Sequence, residues 1–90
     1  MALAVLYFIG RDYEKGVVLF EEALKYDPKN YSLWNKLGAT QAHLGRAEEA
    51  MKAYHQALDI KPNYVRAWVN FGIAHAYQVR FFLSKNKDLF

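Results

Sequence analysis

Apolar and small residues recur along the chain at intervals of three and four: Phe20, Ala23 and Leu24, then Trp34, Leu37 and Gly38, then Ala50, Tyr54, Ala57 and Leu58. That spacing places each group on one face of an α-helix. Polar residues fill the other faces, as Glu21-Glu22 with Lys25 and Glu48-Glu49 with Lys52. Pro28 and Pro62 lack an N–H and cannot continue the helix before them. Gly45-Arg46 marks a tight turn, because glycine accepts a positive φ without strain. The pattern predicts helices over about 2–9, 14–26, 31–44, 47–60 and 65–78. The chain reads as all-α.

The pattern also repeats. An offset of thirty-four residues, without a gap, takes Phe20 to Tyr54, Ala23 to Ala57, Leu24 to Leu58 and Pro28 to Pro62. The same offset takes Trp34 to Trp68, Leu37 to Phe71 and Gly38 to Gly72, and Leu3 to Leu37. A period of that length, with Trp34, Leu37, Gly38, Ala50, Tyr54, Ala57 and Pro62 in register, resembles the tetratricopeptide repeat. Gln41 departs from its signature, which has tyrosine there. The expected architecture is a solenoid of antiparallel helix pairs, about two and a half repeats long. Residues 1–30 form a partial repeat, 31–64 a complete one, and 65–78 the first helix of the next. Small residues at Gly38, Ala50 and Ala57 let paired helices approach closely, while Trp34, Leu37 and Tyr54 fill the space beside the crossing. Beyond residue 78 the register fails: Ser84 stands at a usual alanine position and Asp88 where an aromatic belongs. Residues 79–90 are therefore expected to be a divergent C-terminal tail.

The first helices of stacked repeats line a concave surface. Asn35 and Lys36 in one repeat and Arg66 and Asn70 in the next are expected on that surface, with Ala39, His43, Ile73 and Tyr77 as further groove contacts. Amides supply a donor and an acceptor to an extended peptide, and cations suit a carboxylate. The same residues also suit a solvated helix face, and the pattern alone leaves both readings open.

The stretches Asn30-Tyr-Ser-Leu-Trp-Asn-Lys-Leu-Gly-Ala-Thr-Gln-Ala42 and Lys61-Pro-Asn-Tyr-Val-Arg-Ala-Trp-Val-Asn-Phe-Gly-Ile73 are more specific than the generic repeat. They resemble the peroxisomal import receptors of the peroxin-five family, and the likeness covers residues 1 to about 78. It implies a receptor that reads Ser-Lys-Leu-type signals at the C-terminus of cargo, with Asn35, Lys36, Arg66 and Asn70 in the signal-binding funnel. It further implies a cytoplasmic protein that shuttles to the peroxisomal membrane, meeting docking proteins through parts outside this chain. Where that family usually places asparagine in the groove, this sequence has His43 and Tyr77. The alternative is a generic tetratricopeptide co-chaperone or scaffold that binds another protein's C-terminal tail.

Composition narrows the field without changing it. Fifty-three per cent hydrophobic and 17% aromatic content is that of a folded chain, and ninety residues allow one small domain. The charge of +3 is spread thinly, with +1 over residues 1–78 and +2 over the last twelve, so no basic stripe for nucleic acid emerges. The apolar opening Ala2-Leu-Ala-Val-Leu-Tyr-Phe-Ile9 lacks the basic stretch and cleavage site of a signal peptide and is expected to be a buried helix. No run approaches the ~20 apolar residues of a transmembrane segment. There is no cysteine, and neither His43 nor His75 has a carboxylate or second histidine one turn away, so no metal site, cofactor or enzymatic activity is expected.

Overall fold

The computed structural model describes residues 12–86. The helix expected over 2–9 lies outside them, as do residues 87–90 of the expected tail. Four helices follow in order: α1 (Tyr13–Tyr26), α2 (Tyr31–His43), α3 (Ala47–Ile60) and α4 (Val65–Lys85). Each packs on its sequence neighbour, and α2 also touches α4 across the stack. That is the connectivity of repeated helix pairs.

The helix ends follow from local chemistry. Asn30 caps α2, its Oδ1 accepting from the Leu33 N–H at 3.1 Å. At the other end Gly45 adopts φ 76°, which reverses the chain so that α3 can run back along α2. Each proline turn is tied to the helix that follows it. The Trp34 indole N–H donates to the Pro28 carbonyl at 2.9 Å, and the Trp68 indole N–H to the Pro62 carbonyl at 2.7 Å. The period is thus visible in hydrogen bonds as well as in packing.

The core is a set of patches, each sealing one helix crossing. Val17, Leu24, Leu37 and Ala53 join α1, α2 and α3. Ala50, Tyr54 and Ala74 join α3 to α4, as do Ala57, Leu58 and Ala67. Trp34 packs against two of these patches. Gly38 shows why a hydrogen side chain is required there: a Cβ would lie 2.6 Å from the Tyr54 ring. The equivalent Gly72 has open space around it, because no described second helix covers α4.

The C-terminal segment differs from expectation. A divergent tail was expected from residue 79, but α4 continues without interruption to Lys85. The physical reason is the residue at the turn. Gly45 has Val79 as its counterpart one period later, and a β-branched residue is a poor occupant of the left-handed turn. Nothing else between residues 73 and 85 breaks a helix, so the helix extends instead of reversing.

Candidate functional site

Facing sides of α2 and α4 enclose a groove of about 860 Å3, floored by the start of α3 and the Tyr54 ring. Ala39, Ala42 and His43 line one wall, and Asn70, Ile73, Tyr77 and Phe81 line the other. The small side chains of Ala39 and Ala42 leave the width. On α4, Ile73, Tyr77 and Phe81 are spaced by four residues and so form one ridge. Burial pushes the Tyr54 hydroxyl above its ordinary pKa.

The polar centre lies where α2 meets α4. Asn70 Nδ2 donates to Asn35 Oδ1 at 3.1 Å. Asn35 is 5% exposed, so this bond satisfies an acceptor that would otherwise be costly to bury. One donor group on Asn35 and one acceptor on Asn70 form no other hydrogen bond among the described residues. Lys36 is exposed beside Asn35, and Arg66 is exposed one turn before Asn70 on the same side of α4. Neither makes an ion pair among the described residues.

The eight residues expected on this surface therefore divide. Ala39, His43, Asn70, Ile73 and Tyr77 line the groove. Asn35 sits behind Asn70 and reaches the groove through it. Lys36 and Arg66 lie outside the lining, toward the N-terminal ends of the two helices. His43 is held flat against Tyr13 of α1, ring centres 4.8 Å apart and planes 12° apart. That stack covers one face of the imidazole and bridges to the preceding repeat.

Sequence reasoning missed Phe81, Gln78 and Glu48. Phe81 was missed because helix was not expected beyond 78, although its four-residue spacing from Tyr77 and Ile73 carries the signal. The sequence marks Glu48 only as one of the polar residues away from the apolar face; it lies in the first turn of α3, which borders the groove. A second notch of about 580 Å3 on the opposite side lies between α1 and α3 over Trp34 and Gln41. Gln41 fills the place of the signature tyrosine, and its buried Oε1 has no hydrogen-bond partner among the described residues. No cluster of three metal-ligating side chains occurs among the described residues, and no described helix is long and apolar enough to cross a membrane.

A tetratricopeptide repeat family model matches residues 1–65. Among curated proteins, the peroxisomal targeting signal receptor of Saccharomyces cerevisiae is 40% identical over 74 residues, which is 82% of this chain and 12% of the receptor. The peroxisomal targeting signal 1 receptor of Dictyostelium discoideum is 51% identical over 53 residues, covering 59% of this chain and 8% of that protein. Superkiller protein 3 of Schizosaccharomyces pombe is 33% identical over 70 residues, covering 76% of this chain and 5% of its own length. The chain thus spans about an eighth or less of these relatives.

Proposed function

The chain belongs to the tetratricopeptide-repeat family, and from that premise we propose that its groove binds the C-terminal segment of a cargo protein as part of a receptor for peroxisomal targeting signals. The observation that carries the reading is the Asn35–Asn70 amide pair. It leaves a donor on one residue and an acceptor on the other, which matches the C=O and N–H of an extended peptide. Lys36 and Arg66, each about one turn before the first groove-lining residue of its helix, supply the charge for a terminal carboxylate. The N-terminus of α4 adds partial positive charge beside Arg66. The signal read is of the Ser-Lys-Leu type. Delivery of that cargo for matrix import, docking at the peroxisomal membrane and cycling through the cytoplasm belong to the whole receptor.

The test is a titration with a fluorescent peptide ending in Ser-Lys-Leu, carrying either a free or an amidated C-terminus. The free acid is expected to bind and the amide to bind at least tenfold more weakly. Equal binding of the two would remove the carboxylate from the interaction and the receptor reading with it.

The second reading is a tetratricopeptide scaffold for another protein's tail; the likeness to Superkiller protein 3, which carries no receptor name, keeps the general repeat in view beside the receptor. A chaperone-type clamp uses several cations on the first helices, whereas here amides share that face. Enrichment of acidic tails over Ser-Lys-Leu tails from a random C-terminal peptide pool would favour the scaffold.

A further inference from the structure

Seven residues of α4 lie beyond the point where a repeat would normally turn back, and they lengthen one wall of the groove. From this we infer that Ile73, Tyr77 and Phe81 form a separate subsite for a bulky apolar side chain of the bound peptide, upstream of its C-terminus; the inference rests on the peptide-binding reading above. The three side chains are exposed although apolar, at 50%, 65% and 67%. They share one ridge of α4 and face Ala39 and Ala42, which are too small to cover them from the opposite wall. An exposed apolar ridge that continues a polar binding centre is suited to a ligand that spans both.

Charge sets the direction in which that ligand lies. Lys36 and Arg66 mark one end of the groove, so the carboxylate belongs there and the peptide runs along α4 toward Phe81. At about 1.5 Å per helical residue, Tyr77 lies ~16 Å and Phe81 ~22 Å from Arg66 along the axis. An extended peptide covers about 3.3 Å per residue, which places the apolar side chain roughly five to seven residues before the terminus. His43 completes the pocket from the opposite wall, and its stack on Tyr13 fixes the ring in place. An aromatic or large aliphatic side chain fits this chemistry best.

The subsite is a consequence of Val79. With a turn at that position, as at Gly45, the chain would leave α4 before Phe81 and the ridge would end at Tyr77.

Two ten-residue peptides ending in Ser-Lys-Leu provide the test, one with glycine and serine at all upstream positions and one with a single phenylalanine six residues before the terminus. Both are titrated against the ninety-residue chain and against Phe81→Ser. That position is 67% exposed, so its replacement leaves the core intact. The phenylalanine peptide is expected to bind the unmodified chain about five- to tenfold tighter, and the ratio is expected to fall to about one in Phe81→Ser. Moving the phenylalanine next to the Ser-Lys-Leu tripeptide should also abolish the advantage. Equal affinities for the unmodified chain, or an advantage that survives Phe81→Ser, would overturn the subsite while leaving carboxylate recognition standing. Binding of neither peptide would overturn both.

Discussion

At the scale of single residues, Gly38 and Asn35 show two ways a side chain can be constrained. Gly38 is constrained by volume. Any Cβ there meets the Tyr54 ring at 2.6 Å, and that residue is 2% exposed and packed with Ala50 and Ala74. Gly38→Leu is expected to cost roughly 1–3 kcal/mol or more, whereas exposed Lys36→Leu should stay within about 0.5 kcal/mol. Thermal melts of the two variants check this, and equal midpoints would contradict the packing described. Asn35 is constrained by its hydrogen bond. Asn35→Ala removes the acceptor for Asn70 and a donor from the groove, so Ser-Lys-Leu peptide binding should weaken by about 0.5–1.5 kcal/mol per hydrogen bond lost. Circular dichroism should show the same helicity as the parent chain. Anisotropy titrations that gave unchanged affinity would take Asn35 out of the site. Both residues were legible in the sequence, Gly38 from the repeat register and Asn35 from its helical face. The bond between Asn35 and Asn70 was not, because residues on successive repeats meet only when their helices stack.

At the scale of elements, the turn after α2 and the absence of one in α4 form a natural comparison. Gly45 takes φ 76°, and a β-branched residue there would be strained by about 1–2 kcal/mol. Gly45→Val should therefore lower stability by at least that amount and weaken the α2–α3 pairing. The α2–α3 crossing holds Gly38 against Tyr54, so the loss would appear in urea unfolding as a lower midpoint with little change in slope. An unchanged midpoint would mean that the turn imposes no conformational demand. The indole bonds belong to this scale too. Trp34 and Trp68 each pin a helix start to the preceding proline carbonyl, and Trp68→Phe removes one such bond at a half-exposed site. A cost of about 0.5–1.5 kcal/mol is expected, read from the same unfolding curves. The four described helices matched their expected spans closely at every end but one. That end was 79–85, where the repeat register predicted a departure from pattern and the absence of any helix breaker prevailed.

At the scale of the whole molecule, the two faces of the stack are unequal. Trp34 is half-buried between core patches, while its counterpart Trp68 is 53% exposed, with Val65 and Val69 beside it on α4. Gly72 on that helix has open space around it. Stability in a repeat array is a sum of neighbour interfaces, and exposed apolar faces drive end-to-end contacts that need not close. The ninety-residue chain is therefore expected to associate at micromolar concentrations into a range of sizes. Sedimentation velocity at several concentrations checks this, and a single monomeric boundary throughout would show that the α4 face is not adhesive.

The sequence by itself determined the helices, the thirty-four-residue period and the identity of the residues that must be small. It could do so because capping, turn chemistry and helical spacing act over a few residues and are written in the local pattern. It also marked Asn35, Lys36, Arg66 and Asn70 as a set, since helical spacing places them on the face expected to be concave. Tertiary structure alone decided how that set is divided: Asn70 in the groove, Asn35 buried behind it, and the two cations at one end. It alone brought Phe81 and Glu48 into the same cavity. The reason is physical: a groove is bounded by atoms from different helices, and its shape depends on where each helix stops and how closely each pair packs.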